Sequence, residues 1–335
     1  MRKKIGKLCL LALCCTILIL DAKNATEGAR QGIQLCIYTI VPSIFPFMLL
    51  SSFLLSGNQH SRILSPLARL CRIPEGSEPI LLLGLVGGYP VGAKMITAAY
   101  HKGRLQKSDA ERMLGFCNNA GPAFILGMAG SVLNSLPAAA SLWLIHITSA
   151  LLTGILLPGK ASTKIKPNSV LNGNVADAMR SSIIAISSVC GWVIIFKTFL
   201  YCLSIRMKYA DLPLVRSLVT GILELSNGIT ELSLIQAPAL RYVLAAIFIA
   251  FGGFCVLMQT ASVVGDISLK FYLPGKLFQT AFSILASLVL QTIIYSKAKL
   301  EFRHLLIFLG IAASQLLIGG MILKMQGRFF KKDAV

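Results

Sequence analysis

Residues 79–101 read PILLLGLVGGYPVGAKMITAAYH, and this stretch decides how the chain is understood. It is apolar and long enough to enter a membrane. Gly84, Gly87, Gly88, Pro90 and Gly92 nevertheless interrupt any continuous helix through its centre, since Gly costs about 1 kcal/mol and Pro about 3 relative to Ala. Lys94 stands at the far end of the same run. In lipid, backbone without its helical hydrogen bonds is tolerated only where protein or a water-filled cavity covers it. The stretch therefore predicts a helix break at membrane depth, and a site beside it.

Both flanks of this run are basic: Arg62, Arg69 and Arg72 precede it, and Lys102, Arg104, Lys107 and Arg112 follow. Each flank favours the cytoplasm by the positive-inside rule, which one crossing cannot provide. A re-entrant hairpin turning near residues 88–92 satisfies both. Ser108-Asp-Ala-Glu111 then reads as a capping box, with Ser108 as N-cap of the next helix. That helix is expected to run to about Asn134, broken by GFCNNAGP at 115–122.

The whole chain fits this setting. Its 335 residues are 55% hydrophobic and only 13% charged, with a mean hydropathy of +0.74; a soluble protein carries about 25% charged residues. Repeated long apolar runs predict an all-α polytopic membrane protein. The net charge of +19 lies mostly in short loops between those runs, so it argues for membrane topology and against nucleic-acid binding. Nine cysteines without a CxxC pair and four scattered histidines form no metal or disulfide framework. No GxSxG, Walker A or paired-Asp motif is present, so neither an enzyme nor a cofactor is expected.

The basic start, Arg2 to Lys7, followed by apolar Leu8 to Leu20, resembles a signal peptide. The next segment is again apolar, and the run is read as a retained first helix with its N-terminus in the cytoplasm. Residues 32–56 form a long span, and 23–31, with Lys23 and Arg30, an outside loop. Residues 137–157 return inward. Residues 181–205 cross outward, with Lys197 snorkelling to the outer surface. A second hairpin, 214–236, is broken at GILELSNG, residues 221–228. Residues 242–264 cross inward, interrupted by Gly252-Gly253 and by Gln259-Thr260. Lys270 and Lys276 are placed in a cytoplasmic loop, followed by spans 277–295 and 304–323, and the C-terminus is cytoplasmic.

This order contains a repeat. Each half has a long span, a glycine-broken hairpin, a span interrupted by small or amide residues, and a further span. The first long span runs inward and its counterpart outward, giving inverted repeats with two opposed re-entrant hairpins and two broken transmembrane helices. Secondary transporters hold substrate at such an interface. The divisions are an N-terminal transmembrane anchor (1–31), a first repeat (32–158), a cytoplasmic linker (159–180), a second repeat (181–297) and a C-terminal helix with a basic tail (298–335).

The candidate substrate-binding residues are Gly88, Tyr89, Lys94, Asn118, Asn119, Glu224, Ser226, Asn227 and Gln259. Lys94 follows the first break and suits an anion, although it could equally snorkel to the surface. Asn118 and Asn119 suit substrate hydrogen bonding or capping of freed backbone. Glu224 is the acid deep in an apolar stretch, where a charge costs several kcal/mol. It suits proton coupling, cation coordination, or pairing with Lys94 across the hairpin tips.

At GLVGGYPVGAK (84–94), GFCNNAGPAFILG (115–127), GILELSNG (221–228) and FGGFCVLMQ (251–259) the chain resembles the YlbJ family of sporulation integral membrane proteins, which carry the nucleoside-recognition (Gate) domain. The resemblance covers roughly residues 30 to 320. It implies the two-hairpin fold of concentrative nucleoside transporters and a role in endospore formation. It also implies export of dipicolinate, a small aromatic dianion, across the outer forespore membrane. The partners expected are a small-molecule substrate, the lipid bilayer, a coupling ion (H+ or Na+) and a second copy of the chain in a homo-oligomer. Nucleoside transport and a non-transporting role in spore-envelope assembly are the alternatives.

Overall fold

The computed structural model describes residues 12, 14–54, 63–159, 175–207, 212–295 and 302–332. Among them every regular element is helical, and six helical segments are long and apolar enough to cross a membrane. The basic start of the chain, Arg62 and the linker lysines Lys160 to Lys166 lie outside the described residues.

The first half begins with α1 (Ala22–Leu35), which passes through a π-helical turn (Cys36–Ile40) into α2 (Val41–Leu54). Residues 23–31, expected as a loop, are helical because their small residues pack on a neighbour: Gly28 abuts Thr198 and Tyr201, and Gly32 abuts Ile194. A short α3 (Ser65–Leu70) follows. The opening stretch folds as α4 (Glu78–Val86), a turn over residues 87–90, and α5 (Val91–His101). The break thus falls on the glycines and proline, and the two arms come back to back. A methyl group on Gly92 would stand 3.0 Å from the Gly84 Cα and 1.7 Å from the Cys117 carbonyl oxygen. Only glycine permits this approach.

Next come α6 (Lys107–Met113), an irregular segment over 114–121, and α7 (Pro122–Leu133). Pro122 opens α7, where its missing N–H is harmless, and Asn134 closes it in the left-handed conformation, φ 49°. The capping box does not form. The helix begins earlier, after extended Gln106, and Glu111 pairs instead with Lys270. Helix α8 (Leu136–Leu156) completes this half, its N-terminus capped by Ser135 accepting from the Ala138 amide. Its last carbonyls are held by two arginines from the basic flanks. Arg112 donates to Gly154 O at 3.1 Å, and Arg72 donates to Ile155 O and Leu157 O. Cations belong at a helix C-terminus, where the free carbonyls carry partial negative charge.

The second half runs from a long helix through a helix pair and an interrupted helix to two further helices. Helix α9 (Val175–Met207) is followed by α10 (Pro213–Leu223), a break at Glu224, and α11 (Leu225–Glu231). Then come α12 (Pro238–Phe251), broken from α13 (Gly253–Val264) at Gly252 and Gly253, and α14 (Tyr272–Ile294). Gly252 and Gly253 have φ of 80° and 79°, a region that side chains disfavour. Gln259 and Thr260 do not interrupt α13; Thr260 Oγ1 bonds back to Val256 O within the helix. A final helix, α15 (Phe302–Lys332), packs on α14. The segment Pro238–Val264 is the most enclosed of the six, 72% buried, against 17% for Ala22–Ser51 and for Leu306–Met325. Exposed Leu317, Ile318 and Met321 on α15 suit contact with lipid.

Candidate functional site

The breaks of the two halves meet. A cavity of about 50 Å³ lies among the first hairpin turn (Gly87, Gly88, Tyr89), the start of α7 (Gly121 to Phe124), the second break (Glu224, Leu225, Ser226) and α13 (Val256, Gln259). Ile44 and Phe47 of α2 and Val189 and Val193 of α9 complete the walls. Of the residues singled out from sequence, Gly88, Tyr89, Glu224, Ser226 and Gln259 line it. Lys94, Asn118, Asn119 and Asn227 do not.

These four hold the elements that form the walls. Asn119 is fully buried and donates to Gly84 O (2.9 Å) and Phe116 O (2.7 Å), so one amide ties the irregular 114–121 segment to the first hairpin. Its Oδ1 accepts from Gln279 Nε2 at 2.8 Å. Asn118 Oδ1 accepts from the Ala93 amide on the other hairpin arm, and its Nδ2 donates to Thr260 Oγ1 at 3.0 Å. The freed Ala120 amide donates to His146 Nε2 at 3.0 Å. Buried backbone groups outside a helix need partners, and each of these polar side chains supplies one. Lys94 donates to Ser182 Oγ (2.9 Å) and Met48 O (3.5 Å), facing α9 and α2.

The second break solves the same problem locally. Glu224 ends α10 in an extended conformation and caps α11, its two carboxylate oxygens accepting from the Ser226 (3.0 Å) and Asn227 (2.7 Å) amides. An acid at a helix N-terminus satisfies orphan donors and meets the positive end of the dipole. Lys197 does not reach outward; it donates to Asn227 Oδ1. Arg216 and Glu231 join the arms of this hairpin at 2.7 Å. Glu224 forms no bridge with Lys94.

Lys276 is the residue that sequence reasoning misplaced. It belongs to the first turn of α14 and is 1% exposed. It gets there because Gly275 lies against the Gly115 carbonyl, where a methyl group would come within 2.2 Å. Its ammonium donates to Asn118 O (2.8 Å), Gln279 Oε1 (2.8 Å) and Tyr89 Oη (3.0 Å). It also lies 4.9 Å from the Tyr89 ring centroid and 5.8 Å from that of Tyr272, within cation–π range. The signal for it was weak: Tyr272, Lys276 and Gln279 share one helical face, but the apolar run begins only at Leu277.

Chemically, the cavity offers an apolar floor, hydroxyl and amide groups from Ser226 and Gln259, one carboxylate already engaged by backbone, and a lysine in contact with Tyr89 of its wall. Among the described residues no group of His, Cys, Asp and Glu has the arrangement of a metal site. The chain is similar to the sporulation integral membrane protein YlbJ of Bacillus subtilis (strain 168), with 21% identity over 323 residues, covering 81% of this chain and 78% of that protein. No protein-family model matches, and no solved structure matches significantly.

Proposed function

We infer that this chain, a multi-pass membrane protein of the YlbJ kind, is a transporter that moves a small polar or anionic metabolite during sporulation, with dipicolinate as the substrate to test first. One observation carries the reading: the breaks of both hairpins, the end of the interrupted 114–121 segment and helix α13 line one cavity. A non-transporting scaffold has no need of broken helices around a space. Broken helices at a repeat interface are the usual substrate site of secondary transporters. In this reading the hairpins enter from opposite faces, both termini are cytoplasmic, and alternating access exposes the cavity to each side in turn in the outer forespore membrane.

Glu224 sets the coupling. An anionic substrate beside an ionised Glu224 meets like-charge repulsion, which is strong where water is excluded. Substrate therefore loads together with a proton on Glu224. Serine, glutamine and backbone amides around the cavity orient the substrate.

The test is dipicolinate flux through the purified chain in liposomes, with and without a pH gradient. The expected result is flux above protein-free liposomes, accelerated by the gradient and insensitive to uridine or adenosine. Uridine flux with none for dipicolinate points to nucleoside transport, and absence of flux for every solute overturns the transporter reading.

A further inference from the structure

The hydrogen bonds around Lys276 are the ones an ammonium makes. Asn118 O and Gln279 Oε1 can only accept. The Gln279 amide is held in that orientation by donating from Nε2 to the His146 carbonyl at 3.3 Å and to Asn119 Oδ1. Tyr89 gives its single proton to Ile249 O at 3.3 Å, so toward Lys276 its oxygen accepts as well. Three acceptors thus surround the three N–H directions of an ammonium.

All three partners of this cation are neutral. A buried charge without a counter-charge is costly. Glu224, the carboxylate at the cavity, has both oxygens on the Ser226 and Asn227 amides. Tyr89 links Lys276 to the cavity: it lines the cavity, and its ring and hydroxyl both contact the ammonium.

We propose that Lys276 is the specificity-determining charge of this cavity, acting through Tyr89 to make it take a small anion in preference to an uncharged molecule of the same shape. The proposal rests on the cavity being a substrate site. An anion in the cavity supplies the negative charge that the Lys276 surroundings lack, and the low dielectric between them lets the attraction act across the Tyr89 ring. Lys276 is a positioning and selecting group; it does not touch the substrate.

The experiment measures ligand-induced thermal stabilisation of the full chain in detergent, titrating isophthalate and its uncharged twin isophthalamide. Wild type is expected to bind isophthalate at least about tenfold more tightly than isophthalamide, the scale of one attraction across a dry gap. In Lys276→Met the ratio falls to about one, and in Lys276→Arg, which keeps the charge, the preference returns. A merely structural lesion weakens both ligands together and leaves the ratio alone. Should Lys276→Met not fold, Tyr89→Phe serves in its place, because it removes the bridging hydroxyl while keeping the ring; its ratio is expected to fall part of the way. Equal affinities in wild type, or an unchanged ratio in the variant measured, overturn the proposal and leave the substrate site standing. Stabilisation by neither ligand overturns both.

Discussion

The two hairpins have the same outline and are held by different means. In each, a glycine pair brings the arms together: Gly84 with Gly92, and Gly221 with Gly228. The first hairpin takes its polar partners from elsewhere, through Asn118, Asn119 and Lys276, residues 25 to 187 positions away from the groups they bind. The second caps itself with Glu224, two and three residues from the amides it satisfies. A break held at long range is a tertiary object, formed only when its partners have assembled. A break held by its own cap is legible as local sequence.

The strongest way to break this comparison is to crowd the glycine pairs. A methyl group at Gly92 meets Cys117 O at 1.7 Å, and one at Gly228 meets the Gly221 Cα at 2.2 Å. Gly92→Ala and Gly228→Ala should each destabilise by about 3 kcal/mol, the top of the usual overpacking range, read as lost monodisperse protein or a lowered Tm in detergent. Gly127→Ala, with nothing within 4 Å, is the control and should leave Tm unchanged or raised. If Gly228→Ala is tolerated, the two hairpins are not built alike.

Removing the polar holders should separate the halves. Asn119→Ala removes the side-chain donor to Gly84 O and Phe116 O and leaves Gln279 Nε2 with only His146, and should cost about 2–3 kcal/mol. Glu224→Ala removes a cap and should cost about 1 kcal/mol, with Glu224→Gln recovering part of it. Thermal unfolding of the three variants in the same detergent checks the order. The reverse order would show that the second hairpin is the tertiary one.

The smallest effects are expected at the two half-buried lysines that reach α9 or start from it. Lys94→Met loses the hydrogen bonds to Ser182 and Met48 O, Lys197→Met loses the one to Asn227, and both also remove a charge from the membrane interior. The two effects oppose, so Tm should move by the equivalent of about 1 kcal/mol or less. Isophthalate affinity should stay within about threefold of wild type, since Ser182 and Asn227, which these lysines hold, do not line the cavity as Tyr89 does; about threefold is well under the tenfold expected of a charge that acts on it.

Much of this plan could be read from residue types. The breaks fall at Gly87–Pro90, at 114–121, at Glu224 and at Gly252–Gly253, because Gly, Pro and an acid inside apolar runs each defeat a helix for a local reason. Lys276 could not be placed that way. A lysine directly before an apolar run looks like a loop anchor, and only the Gly115–Gly275 contact, far apart in sequence, draws it inward. The capping box at Ser108 failed for a similar reason, its Glu111 being taken by Lys270 from the other half. The loop expected at residues 23–31 is helical because a small-residue face meets α9.

The Cys117 carbonyl between Gly84 and Gly92 has a mechanical consequence. Three lengths of backbone lie there in direct contact, with no side chain between them to rotate or slide. The first hairpin and the interrupted segment beside it must therefore travel as one rigid body. In the second half Gly228 and Gly253 likewise lie directly on the backbone of residues 221–223, with the ring of Phe248 packed beside Gly221.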